Sequence, residues 1–183
     1  TEYDQFMGDG SMYDYMRSPE CPFTTLMKAS ETALSSKEAN LKKLVRYLKS
    51  DNSAIRYWGA TGLLILKEGA LPALNELIIA SNDRSGSVAS LAAEVLYHLG
   101  AKDAATKAYL TILQDTANYD MTDRNFALNS IDALDIQSPE IRSAAIKLHA
   151  IQTAKARTPQ ELSEMYDVRI LEYMFSRWGV VIS

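Results

Sequence analysis

The sequence predicts an all-α fold, a right-handed α–α superhelix of about three helical hairpins with further helices at its ends. Apolar residues recur at helical spacing along most of the chain. One twelve-residue stretch, 55–66, can be laid over two later stretches, and the segments between helices are short and polar.

Residues 1–22 stand apart. Tyr3, Phe6, Met7, Met12, Tyr13, Tyr15 and Met16 are mixed with Gly8, Asp9, Gly10 and Ser11 without a sustained helical period, so this part is expected to be an extended segment following an absent upstream domain. Pro19 and Pro22 block helix propagation, after which Phe23, Leu26, Met27, Ser30 and Ala33 fall at helical spacing. A first helix over about 23–35 opens a helical repeat domain that runs over 23–183.

Periodicity on a larger scale then begins. Ile55 to Leu66 aligns with Val88 to Leu99 and with Asp123 to Leu134, at offsets of 33 and 35 residues. Trp58, Leu91 and Phe126 coincide, as do Gly59, Ala92 and Ala127; Leu63, Leu96 and Ile131; and Leu66, Leu99 and Leu134. Each aligned helix follows another amphipathic one, carrying Leu41, Leu44, Val45 and Leu48 in the first unit, Leu71, Leu74, Leu77 and Ile78 in the second, and Ala105, Ala108, Tyr109, Ile112 and Leu113 in the third. Polar turns at 50–53, 81–87 and 116–120 supply caps, and Gly69 and Gly100 suit left-handed helix ends. A lone helix of this length cannot bury its apolar stripe, whereas stacked pairs share one core, as in HEAT/armadillo-like solenoids. Close helix contact would offset the roughly 1 kcal/mol that a glycine such as Gly59 or Gly62 costs inside a helix.

The end of the chain departs from the repeat. Pro139 follows Ser138 at a helix start, with Ile141, Ala144, Ala145, Leu148 and Ile151 as the apolar face. Thr158 and Glu161 form a capping-box pattern for a last helix holding Leu162, Met165, Tyr166, Ile170, Tyr173 and Met174. These helices would close the array.

Composition narrows the function. A 183-residue chain with 19 Lys and Arg against 23 Asp and Glu has a net charge of −4, so no broad positive field is available for nucleic acid or an anionic membrane surface. No apolar run is long enough to span a bilayer. The single cysteine, Cys21, can form neither an internal disulfide nor a multi-thiolate metal site.

Catalytic patterns do not emerge. His98 and His149 lack a second ligand type at helical spacing, Asp115, Asn118, Asp120 and Asp123 miss the calcium-loop spacing and read as caps, and Cys21 has no neighbouring histidine. Gly59-Ala60-Thr61-Gly62 falls within a helix and lacks the lysine of a phosphate loop. Surface recognition is left. Tyr57, Thr61 and Leu64, with Ser90, Glu94 and Tyr97, then Asn125, Asn129 and Asp132, are expected to point away from the core, and Tyr57, Thr61, Glu94, Tyr97, Asn125 and Asn129 are the candidate binding residues.

At Ile55 to Leu63 the sequence resembles the HEAT-like region at the C-terminus of many bacterial sulfatases of the arylsulfatase and N-sulfoglucosamine sulfohydrolase type. Tyr15 to Pro22, Lys28 to Ala33, Asn40 to Leu48 with Asp51, and Ala93 to Leu96 extend the resemblance over most of residues 15–135. It implies a non-catalytic module whose parent hydrolyses sulfuric esters or sulfamates with a formylglycine and a calcium ion, both belonging to the absent catalytic domain. Cys21-Pro22-Phe23-Thr24-Thr25 has neither the spacing nor the Arg of the formylglycine motif, so no catalytic residue is carried over. The partners implied are that upstream catalytic domain and a protein or a sulfated glycan; the address implied is periplasmic or extracellular. A free-standing protein-binding adaptor is the alternative.

Overall fold

In the computed structural model, which describes residues 11–181, the chain is helical, and no strand occurs among the described residues. The helices are α1 (Met12–Arg17), α2 (Phe23–Leu34), α3 (Leu41–Tyr47), α4 (Ser53–Leu66), α5 (Leu74–Ala80), α6 (Gly86–His98), α7 (Lys102–Gln114), α8 (Met121–Ala133), α9 (Pro139–Thr153), α10 (Pro159–Glu164) and α11 (Tyr166–Trp178). Short 3₁₀ turns cover Glu38–Asn40 and Lys67–Ala73.

The aligned helices pack on one another in chain order: α2 on α4, α4 on α6, α6 on α8 and α8 on α11. Their partners α3 and α5 lean on α4 and α6, α7 lies against both α6 and α8, and α9 packs on α7 and α11. One contiguous core results, running from Ala33 to Trp178. Two sets of aligned positions share a fully buried environment: Leu63, Leu96 and Ile131 are each 0% exposed, as are Ala60, Ala93 and Leu128. Burying such positions removes apolar surface from water, at about 25 cal/mol per Å².

The small residues permit that spacing. A Cβ on Gly59 would lie 2.8 Å from the Leu48 amide nitrogen and 3.0 Å from the Leu44 carbonyl oxygen, so α3 approaches α4 backbone to backbone. Several caps form where the polar turns stand: Asn52 accepts from the Ile55 N–H, Ser138 from Ile141, Thr158 from Glu161, and Asp120 forms a reciprocal capping box with Asp123. Gly100 takes the left-handed conformation at φ 85°.

Two buried arginines tie the turns together. Arg56 of α4 donates from Nε and Nη2 to the two carboxylate oxygens of Asp83, at 2.6 and 2.8 Å, and from Nη1 to the carbonyls of Ser50 (2.9 Å) and Asp51 (2.7 Å). Arg124, at the aligned position of α8, donates to the Tyr119 carbonyl (2.8 Å) and lies 3.5 Å from the Asp167 carboxylate, while its Nε is buried without a hydrogen-bond partner.

The structure departs from the sequence expectations at several places; Leu71, Ile78 and Ile151, expected on apolar faces, are exposed, while Leu64 and Tyr97, expected to point outward, pack partly against the core. Residues 12–17 are helical rather than extended, because Ser11 and Asp14 form a capping box that starts α1; Tyr3, Phe6 and Met7 lie outside the described residues. Gly69 is not a left-handed cap. Lys67 takes the positive φ of 52° instead, and the 3₁₀ turn containing Pro72 begins there, so the following α-helix starts only at Leu74. The last helix is broken at Met165, whose backbone is extended, and α11 restarts in a register that buries Asp167, Val168, Leu171, Met174, Phe175 and Trp178. Ser90, expected on the outward ridge, is 2% exposed, because α4 and α8 close over that part of α6.

Candidate functional site

Three successive aligned helices leave a groove between them. Tyr57 comes from α4, Leu91 and Glu94 from α6, and Phe126 and Asn129 from α8, around a cavity of about 220 Å³. The side chains reach it for a simple reason. Positions 57, 94 and 129 each come one residue after a buried position of their own helix, about 100° further around it, so each projects beside the core rather than into it.

Two rings form the apolar part. The Tyr57 ring meets Phe126 edge-on, with centroids 6.4 Å apart and planes at 69°, and meets Trp58 likewise at 6.3 Å and 78°. Phe126 is 43% exposed, although the aligned Trp58 and Leu91 pack partly into the core.

The polar part is Glu94. One of its carboxylate oxygens accepts from the Ser130 hydroxyl at 2.8 Å, and Ser130 in turn shares a 2.8 Å hydrogen bond with the Tyr109 hydroxyl of α7. Tyr109 is fully buried, and burial holds its hydroxyl well above the usual tyrosine range despite the Ser130 hydrogen bond. The phenol therefore stays neutral, and the chain Tyr109, Ser130, Glu94 fixes the carboxylate from beneath without supplying a counter-charge. Asn129 is already engaged, its Nδ2 donating to the Asn125 carbonyl at 2.7 Å and its Oδ1 accepting from the Tyr166 hydroxyl at 3.4 Å.

The structure thus gathers Tyr57, Glu94 and Asn129 into one place and leaves the other three candidates outside its lining. Thr61 is half-buried and spends its hydroxyl on the Tyr57 carbonyl at 2.9 Å within its own helix. Tyr97 is half-buried against the core with the Lys102 ammonium 5.0 Å above its ring. Asn125 is half-buried, and its Oδ1 is enclosed without a hydrogen-bond partner. Sequence reasoning placed Phe126 and Leu91 among the interlocking apolar positions. Their part in the groove was legible only in the spacing of Phe126, three residues before Asn129 on the same helix face.

The groove continues on either side. Towards the start of α4, Ser53, Tyr57, Ser85 and Phe126 line a cavity of about 360 Å³. Beside α11, Asn129, Asp132, Tyr166, Arg169 and Tyr173 line one of about 300 Å³, and Leu64, Lys67, Glu68, Glu94 and His98 line one of about 440 Å³.

His98 is exposed, and His149 is buried, edge-on to Phe175 at 5.5 Å and 3.5 Å from the Glu172 carboxylate. Cys21 is a half-buried free thiol. Among the described residues no group of three or more His, Cys, Asp or Glu side chains is placed to hold a metal ion, and no helix is long and apolar enough to cross a membrane. No protein-family model matches the chain, and no curated protein or solved structure matches it either.

Proposed function

We propose that the chain is a non-catalytic helical-repeat module, an α–α superhelix of the HEAT/armadillo type, that acts by docking a protein segment along α4, α6 and α8. One observation carries this reading: a groove that brings Tyr57, Leu91, Glu94, Phe126 and Asn129 from three successive aligned helices to one open surface. Partly exposed aromatic side chains set in a concave surface are the usual anchors of protein interfaces.

The sequence resemblance over residues 15–135 supports a more specific setting, the C-terminal module of a sulfatase-like hydrolase acting on sulfuric esters or sulfamates. There the docked partner is the enzyme's own catalytic domain, the calcium ion and the formylglycine belong to that domain, and the address is periplasmic or extracellular. The reading frame upstream of Thr1 tests the setting. A formylglycine motif there is expected, and its absence leaves the free-standing adaptor in its place. Docking is tested by replacing Tyr57, Phe126 and Asn129 together with alanine and measuring affinity for the remainder of the parent protein by calorimetry. A loss of about tenfold or more is expected from removing two aromatic anchors, and unchanged affinity would take the groove out of the interface.

A further inference from the structure

We infer that the groove between α4, α6 and α8 receives an arginine side chain presented by the docked protein. The inference rests on the docking reading above and names the chemistry of its central contact.

The first observation is an acid without a counter-ion. Glu94 is half-buried, lines the groove, and among the described residues pairs with no cation; its intramolecular partner is the neutral Ser130 hydroxyl. No Lys or Arg lines this part of the groove. Lys67 and His98 line a neighbouring cavity that Glu94 also borders, and Arg169 lines the one beside α11, yet among the described residues none of the three forms an ion pair with Glu94. A partly desolvated carboxylate that lacks a counter-charge is a standing electrostatic demand, and an incoming cation satisfies it.

The second observation is the shape of the apolar wall. Tyr57 and Phe126 pack edge-to-face at 6.4 Å, and the pair lines the groove with Phe126 43% exposed, so aromatic surface is open to an incoming group. A cation over an aromatic face is attracted by the ring quadrupole. Guanidinium fits both demands at once, because it is flat enough to stack on a ring and its forked N–H donors match a carboxylate; a lysine ammonium stacks poorly and binds as a point charge. Asn129 cannot take the central role, since both ends of its amide are already hydrogen-bonded. A sulfated glycan would place sulfate oxygens against the Glu94 carboxylate, which repels them.

The test is an NMR titration of the isotope-labelled chain with the blocked tripeptide Gly-Arg-Gly, with the same peptide carrying citrulline, which keeps the shape and loses the charge, and with a sulfated disaccharide. Saturable shifts centred on Tyr57, Glu94 and Phe126 are expected with the arginine peptide, and binding about tenfold weaker with citrulline. Glu94→Gln keeps an oxygen for Ser130 and is expected to erase that preference while leaving the circular dichroism unchanged. Equal affinity for the two peptides in the groove, or an arginine preference that survives Glu94→Gln, would overturn the arginine assignment and leave docking intact. Shifts in the groove from the disaccharide in place of the peptide would overturn it in favour of a glycan. Peptide shifts that map away from the groove would overturn it as well, and the alanine triple variant then decides separately whether docking itself survives.

Discussion

Arg56 and Arg124 occupy the same position in two aligned helices, yet their surroundings differ in kind. Arg56 meets Asp83 through two parallel hydrogen bonds and closes the preceding turn with two more, leaving none of its three nitrogens idle. Arg124 holds one carbonyl, faces Asp167 at 3.5 Å, and leaves its own Nε and the Oδ2 of Asp167 without hydrogen bonds. In the middle unit the position is Ala89, 0% exposed. The first junction is a completed ionic lock, the second is plain packing and the third an incomplete pair. The aligned helical position therefore fixes where a side chain points; the partners that the neighbouring turn supplies fix what it contributes.

That difference yields four predictions. The largest effect should come from Ala89→Arg: if the three junctions were interchangeable it would be tolerated, but an arginine forced into a filled site costs about 5 kcal/mol by overpacking and unpaired charge, read as loss of the cooperative urea transition. Arg56→Ala should cost about 3–5 kcal/mol, because the largely buried Asp83 carboxylate is left without a counter-ion and keeps only the Ser85 N–H; a loss below about 1 kcal/mol would show that the lock is ornamental.

At the third junction, Arg124→Met alone should cost about 2–3 kcal/mol, whereas Arg124→Met combined with Asp167→Asn should fall within about 1 kcal/mol of the parent chain, since an incompletely bonded buried pair returns little of its desolvation cost. Non-additivity in a double-mutant cycle, measured by denaturation, is the readout. Equal costs for the single and double variants would place the two junctions in one class.

The smallest effect concerns pH. Asp123 stands where the first two units have the buried Ile55 and Val88, and its burial raises its carboxyl above the ordinary aspartate range. The folded state then binds a proton more readily than the unfolded one, so this group's contribution is fully present below the ordinary aspartate range and is lost as pH rises through the raised value. Asp123→Asn keeps an acceptor for the Gly86 N–H, which the aspartate takes at 2.8 Å, and loses the titration. Stability of the parent relative to the variant should rise as pH falls through that window in urea titrations, and a flat difference would remove Asp123 as the cause.

The helical elements were largely legible because their signals are local. The i, i+3, i+4 apolar spacing marks α2, α4, α6, α7 and α9, and the side chains of Asn52, Asp120, Ser138 and Thr158 mark where four helices begin. Gly59 was readable as a contact point, and the backbone of α3 does lie against it. Less was legible where two local signals compete. Pro19 and the glycines obscured the one-turn capping box of α1, and the apolar run from Leu162 to Met174 hid the break at Met165.

The candidate site divides in the same way. Tyr57, Glu94 and Asn129 could be placed on the outward ridge by counting along each helix, because side-chain direction is a property of one helix alone. Thr61 is spent within its own helix, on the Tyr57 carbonyl, whereas Tyr97 is covered by the core and by Lys102 of the next helix, and Asn125 is enclosed by its surroundings. The sequence by itself determined most of the helices and their apolar faces, set by propensity and periodicity within a few turns. Only the tertiary structure decided that Ser90 is covered, that Phe126 is open, that Arg56 finds Asp83, and that Glu94 pairs with no cation among the described residues, because burial and charge pairing are relations between residues far apart in the chain.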